Sequence, residues 1–348
     1  MTCYARYRLP YSDHYTTLRH LGSPLVLPSL EALDGRQGFV IAPFRIAEDM
    51  PLVLIPAEDT EIEQHTVPNS VSTPTTAAPP IADRPSPAYA DDFRRFSAAV
   101  RNGQFAKLVL SRTEEVALPE GLDTETLFYR ACHTFPRAMV MLFSTPLTGT
   151  WLVCSPEILI DFQPPFFCTM ALAGTMPHSE GLPTWSAKNQ SEQHIVEQYI
   201  ADVLAPLSER IIKDGPRTVQ AGSLMHLRTD FRFSPRKATT LGLLLQKLHP
   251  TPAVCGLPKQ EALDFIHQNE TTDRRYYSGF AGPLNICGET HLYVTLRCLE
   301  IAGSQVFLHA GGGIMPDSVL EEEWRETCHK MLKTLLLTPP ETLPLTPP

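Results

Sequence analysis

The stretch HAGGGIMPDSVLEEEWRETCHK, residues 309–330, joins a strand end, a run of glycines and a charged helix. Residues 305–310 alternate as a strand, and Gly311, Gly312 and Gly313 let its end approach a ligand with bare backbone N–H groups. After that turn Glu323, Glu326 and Lys330 follow at spacings of three and four, which places them on one face of a helix predicted over 320–337. An anion and a cation can be held side by side there. Taken alone, the same string also fits a hairpin turn followed by a solvated acidic helix.

Outward from this stretch the pattern is mixed. A helix is predicted over 89–102, stopped by Gly103, and 105–112 alternates as a strand. Further strands are predicted at 139–144, 150–154, 158–162, 167–172 and 291–301, and further helices at 188–213, 239–248 and 259–268. Short links such as Ala302-Gly303-Ser304 imply antiparallel pairing, so the fold class is α+β.

A chain of 348 residues with 43% hydrophobic and 19% charged content can bury a large core. Its formal charge of -9, with no clustered Lys and Arg, argues against a nucleic-acid partner. The N-terminus lacks the apolar core of a signal peptide and no apolar run reaches membrane-spanning length, which points to the cytoplasm and no membrane partner. The eight cysteines include no CxxC pair and read as reduced packing thiols. The Pro-, Ser- and Thr-rich connector over 65–88 separates a small N-terminal part, 1–64, from the main body, 89–337, and a Pro-rich tail follows over 338–348.

Five further segments carry candidate chemistry. In KLVLSR (107–112), Lys107, Val109 and Ser111 share a strand face, so the lysine either snorkels to water or is placed to lose its proton. In SPE (155–157), Pro156 fixes the chain immediately before Glu157. On the 188–213 helix, Val196, Tyr199, Val203 and Leu207 define a buried stripe. Glu192 lies one turn before it, aimed at a partner in the core or else capping the helix N-terminus. Arg297 shares a strand face with Tyr293 and Thr295 and calls for a carboxylate from protein or ligand. In LHPTPAVCG, prolines stiffen a connector that positions His249 and Thr251.

In this order the segments resemble the chorismate-utilising enzymes, and most closely the isochorismate synthases. The resemblance runs from residue 89 to about 337 on KLVLSR, SPE, LAGT (172–175), Lys188 with Glu192, LHPTPAVCG, DRRYYSGFAG (273–282), TLRC (295–298) and AGGGI…EWRET. It implies two large twisted antiparallel sheets packed together, with helices outside and the site between them. It implies Lys107 as the base that activates water and Glu157 as the acid that protonates the departing hydroxyl. It implies Mg²⁺ on Glu192 and Glu326, with Glu323 beside them. Arg297, Tyr277, Lys330 and the amides of Gly311 and Gly313 fall on the cradle for the carboxylates of chorismate. Ala173, Gly174, Thr175, His249, Thr251 and Ala253 fall on the ring-lining motifs. One departure stands out: relatives commonly carry Glu-His where this chain has Glu192-Gln193, and a change behind the metal ligands with no loss of function is expected.

The expected reaction adds water at ring carbon C2 as hydroxide leaves C4, so one group takes a proton and another gives one. A lysine is a poor base for this unless its pKa, ordinarily about 10.4, is pulled down by roughly two to three. Among relatives, the amine-transferring branches lack the lysine at 107, and another branch carries a nucleophilic lysine where this chain has Ala173. The resemblance therefore implies water as nucleophile, no glutaminase subunit, and a monomer or weak homodimer. It sets isochorismate at the entrance to menaquinone, siderophore or salicylate biosynthesis. The alternatives are a salicylate synthase, which goes on to eliminate pyruvate, and a non-catalytic metabolite-binding homologue, which loss of Lys107 or Glu157 would mark; both are present.

Overall fold

The computed structural model describes residues 3–69, 71, 84–178, 183–221 and 224–331. Most of the connector, at 70 and 72–83, lies outside them, as do the end of the helix expected to reach 337 and the tail beyond it. The described strands form two nine-stranded sheets. The first runs Gly256–Leu257, Lys107–Ala117, Gln305–Ile314, Cys298–Ala302, Gly149–Ser155, Met139–Thr145, Cys3–Arg8, His14–His20, Thr60–Thr66. The second runs Ser208–Ala221, Leu224–Pro235, Phe166–Pro177, Ile158–Gln163, Thr290–Val294, Phe280–Leu284, Gly38–Ala42, Leu52–Pro56, Leu25–Leu27. Their ladders are antiparallel. The N-terminal strands contribute three members to each sheet.

Strand alternation explains the layering. Met139, Met141 and Phe143 point into the space between the sheets, where Phe39, Ile41 and Val53 meet them. Val140 and Leu142, one residue out of phase, pack instead under Leu127, Phe128 and Ala131 of the helix Thr124–Thr134. Helices Ala187–Leu207 and Leu241–Leu248 cover the outer face of the second sheet. Helices Pro87–Arg101, Lys259–Asn269 and Leu320–Lys330 cover one end of the first. The α+β class, the two packed antiparallel sheets and the outer helices are as expected.

Three expected elements differ. The strand expected over 291–301 is two strands in different sheets, Thr290–Val294 and Cys298–Ala302, and the chain crosses between them through Thr295, Leu296 and Arg297, the last at φ 48°. The helix expected to 213 stops at Leu207. Pro206 lacks the amide that would extend the helix, and residues 208–221 pair as a strand with Leu224–Pro235. Its buried stripe is Gln193, Val196, Glu197, Ile200 and Leu204, rotated from the expected one. Finally, the glycines make no turn: the strand runs through them to Ile314, with Gly311, Gly312 and Gly313 opposite Ser111, Leu110 and Val109.

Phe143 is fully buried between the sheets, and Phe143→Ala should lower the unfolding free energy by about 3–5 kcal/mol in urea denaturation. A loss below about 1 kcal/mol would mean that the sheets do not rest on this ring.

Candidate active site

Two crossings between the sheets build the site. The chain leaves the first sheet after Ser155, passes Pro156 and Glu157, and enters the second at Ile158; it returns through Thr295, Leu296 and Arg297. The crossings run side by side and are stitched by Cys154 N–H to Arg297 O, 2.9 Å, and Val294 N–H to Glu157 O, 3.0 Å. Glu157 and Arg297 are thereby carried into a cleft with about 630 Å³ of empty space, its open mouth included. Of the predicted residues, Ala173, Gly174, Thr175, Glu192 and Ala253 line this cleft with those two. Tyr277, Gly311, Gly313 and Lys330 line it as well.

The glycine strand forms one wall. Val109 N–H donates to Cys255 O at 2.7 Å and Ser111 N–H to Glu270 Oε1 at 2.6 Å, so both amides point to the outer edge of their strand. Residues opposite each other in an antiparallel ladder turn their amides together or apart. Gly313 and Gly311 therefore direct theirs the other way, past the point where the neighbouring strand Cys298–Ala302 has ended. Gly311 O accepts from Lys330 Nζ at 3.0 Å on that side. A Cβ at Gly313 would stand 2.6 Å from Lys107 Cε and strike Glu192 Oε1. One at Gly312 would lie 3.0 Å from Glu323 Oε2 and 3.6 Å from Glu326 Oε1.

Three carboxylates thus gather at this strand, each held by a lysine. Lys107, wholly buried, pairs with Glu192 at 2.7 Å, Lys330 pairs with Glu326 at 2.6 Å, and Lys188 pairs with Glu323. Burial would push the Glu192 carboxyl up, but Lys107, helped by Lys330 and Lys188, holds it below the usual range. Burial and then Glu326 push Glu323 up against the pull of Lys188. Glu157 differs: its carboxyl has no hydrogen-bond partner among the described residues. Burial pushes its pKa up to about 8, with only partial relief from Lys107 and Lys330.

Among the described residues no three His, Cys, Asp or Glu side chains converge closely enough to form a metal cage. The donor chemistry nevertheless suits a hard cation: oxygen ligands on two helices meet one bare strand, and Glu323 Oε2 is buried without a partner. The residues present fit Mg²⁺ in kind.

His249 and Thr251 stand behind the cleft wall. The His249 ring packs edge-on against Phe280, and its Nε2–H donates to Pro43 O at 3.2 Å. The Thr251 carbonyl accepts from Val254 and Cys255, a turn that presents Ala253 and Val254 to the cleft. Gln193, the departure noted above, is buried: its Oε1 accepts from Ala173 N–H at 2.9 Å and its Nε2 donates to Ala171 O and Thr229 Oγ1, both at 3.2 Å. It clamps the bulge at Gly174, where the strand register shifts.

Two wall residues had escaped the sequence reading. Burial, Arg297 and Lys330 push His226 down to about 3, so the ring is neutral. Its Nδ1–H donates to Gly174 O at 3.0 Å while Nε2 accepts from Arg297 Nη2 at 3.2 Å. His309, pushed down to about 3 chiefly by burial, lies between the Trp151 and Tyr277 rings, at 5.1 and 5.7 Å, with Nε2 unpartnered. His309 lies in the quoted stretch, and its alternation with the glycines is the available signal; His226 has none, because it sits on the strand Leu224–Pro235, over which no element is expected from the sequence.

A fold with its cleft between two large antiparallel sheets, walled by carboxylates, lysines and a glycine strand, defines a class. The family model described as "Chorismate binding enzyme" matches residues 47–337, and the chain belongs to that family. It is 34% identical over 270 residues to the salicylate biosynthesis isochorismate synthase of Pseudomonas aeruginosa, covering 72% of this chain and 56% of that protein. It is 33% identical over 257 residues to isochorismate synthase EntC of Escherichia coli, covering 70% and 64%. The match thus spans less than two thirds of either relative. The crystal structure of DhbC from Bacillus anthracis shares the fold, with TM-score 0.77, 22% identity and coverage of 96% and 95%. MenF, the menaquinone-specific isochorismate synthase from Escherichia coli, gives 0.75 at 23% identity, covering 94% and 86%.

Because the atoms a Cβ at Gly313 would meet are the ends of flexible side chains, Gly313→Ala should spare the fold and part Lys107 from Glu192. Turnover of whatever the cleft accepts should fall at least about tenfold with a melting midpoint within a few degrees of wild type. Unchanged turnover would show that this pair is not required.

Proposed function

We propose that this chain converts chorismate to isochorismate, adding water at C2 as hydroxide leaves C4. The observation that carries the reading is Glu157, a buried carboxyl without a hydrogen-bond partner among the described residues, neutral at pH 7 and therefore able to give a proton inside a cleft whose other described acids are paired. Lys107 Nζ, paired as a cation with Glu192 in the resting cleft, must first yield its own proton and then receives the one from the attacking water. Arg297, cationic although burial pulls it down to about 10, holds the carboxylates of the substrate with Lys330 and the outward amides of Gly311 and Gly313. Tyr277 and Ala253 bound the ring, and Ala173 leaves room for water where a lysine would supply a nucleophile. Glu192 and Glu326, with Glu323, would hold Mg²⁺, which when bound neutralises a carboxylate conjugated to the reacting ring.

Glu157→Gln and Lys107→Ala should each cut turnover at least about a hundredfold while chorismate still binds. A carboxyl raised to about 8 is protonated below that pH and lost as an acid above it. Wild-type kcat should therefore decline as pH rises through about 8, and that limb should vanish in the residual activity of Glu157→Gln. Near-normal turnover by Lys107→Ala would remove the base assignment.

With Mg²⁺, chorismate and isochorismate should interconvert from either side, without stoichiometric pyruvate, because moving a hydroxyl around one ring leaves the two close in energy. Excess chelator should abolish this. Release of salicylate and pyruvate at the rate of chorismate loss would transfer the assignment to a salicylate synthase, and full turnover in chelator would remove the metal.

A further inference from the structure

The strand carrying Lys107 has an incomplete outer edge. Its neighbour there, Gly256–Leu257, pairs only with Leu108 and Lys107, and Cys255 O takes one more amide, that of Val109. The next edge groups are Val109 O and Ser111 N–H, which no strand reaches. Exposed or buried, such groups need partners.

Two side chains supply them. Arg274 Nη2 donates to Val109 O at 2.6 Å, and Glu270 Oε1 accepts from Ser111 N–H at 2.6 Å. The two side chains also grip each other through two bonds, Nε to Oε2 at 2.6 Å and Nη2 to Oε1 at 2.8 Å. Both are buried, at 2–4% side-chain exposure. The remaining arm of Arg274, Nη1, donates to Val254 O at 2.7 Å, and its own carbonyl accepts from Tyr277 N–H at 2.8 Å. One guanidinium therefore ties together the Lys107 strand, the loop that presents Ala253 and Val254, and the turn that carries Tyr277, all of which wall the cleft. Neither Glu270 nor Arg274 lines it.

We propose that Glu270 and Arg274 are positioning residues: the ion pair takes the place of a strand residue, donor and acceptor included, and sets Lys107 and two other walls in register for turnover. The pair's worth lies in geometry, since desolvating two charges offsets much of their attraction. Only a planar fork can reach Val109 O, Val254 O and both Glu270 oxygens at once, and a lysine cannot. The kinetic side of this inference rests on the chorismate reading above; the structural side does not.

The test uses the full chain. Arg274→Lys, and separately Arg274→Ala, should lower kcat for chorismate at least about tenfold with KM within about threefold, because misplacement by about 1 Å costs turnover before it costs binding. The pair borders a second cavity, lined in part by Phe44 and Leu263, through which a small cation can enter. Guanidinium at millimolar concentration should restore kcat of Arg274→Ala severalfold, and ammonium should not. Independently of any substrate, hydrogen exchange at the Val109 and Ser111 amides should quicken at least about tenfold in Arg274→Ala and slow again with guanidinium. Unchanged exchange, a loss confined to KM, or equal rescue by ammonium would overturn the proposal. If wild type leaves chorismate untouched while the exchange result holds, the function is misassigned and the brace stands.

Discussion

The two crossings that Cys154 and Val294 stitch together govern the rest of the molecule. A chain that passes from one sheet to the other keeps the sheets apart where it passes. Two such passages side by side, joined by backbone bonds of 2.9 and 3.0 Å, make a rigid seam rather than a loose loop. The side chains at the seam, Glu157 and Arg297, are therefore delivered between the layers, where neither sheet face can absorb them. The bulge at Gly174 and the open side of the glycine strand face this opening.

Within the cleft, burial acts on every acid, and a single contact decides its outcome. Glu157 and Glu192 are both withdrawn from water. Between an ordinary carboxyl at 4.5 and one at about 8 lies roughly 5 kcal/mol opposing ionisation, which remains after Lys107 and Lys330 have offset part of the cost of burial. Lys107 at 2.7 Å from Glu192 does overturn it. Two carboxyls of one kind thus take opposite protonation states at neutral pH, the division of labour that acid–base chemistry needs. The Lys107–Glu192 pair also lets two charges be buried together, because an unpaired ion there would cost several kcal/mol.

Much of the body was legible because its strands have one face toward the sheet interface and the other toward helices, both apolar but bounded by turns, as at Met139–Thr145. The N-terminal strands were not. Gly38–Ala42 is buried at every position and Thr60–Thr66 is largely exposed, and neither carries the alternation that marks a strand. The crossing at Thr295–Arg297 was hidden for the opposite reason. Tyr293 and Arg297 keep the alternating pattern across it, and the change of sheet is written only in the backbone, at the positive φ of Arg297. Helix propensity carried the reading of 188–213 too far because the Ile211-Ile212 pair that extends the following strand also fits a helical stripe.

The glycines show where local reading stops. As a turn, Gly311 to Gly313 would offer flexible amides. As a strand they offer fixed ones, alternately toward the ladder and away from it. That change alters what the missing side chains are for. Conformational freedom is not the issue, since none of the three has positive φ; the need is space, which Glu192, Lys107, Glu323 and Tyr277 fill from three directions. Charged residues at spacings of three and four were readable as one face of a helix. That this face would press on a bare strand, opposite a second helix bringing Glu192 and Lys188, follows only from the packing of one helix on the first sheet and the other on the second, which no single segment of sequence contains.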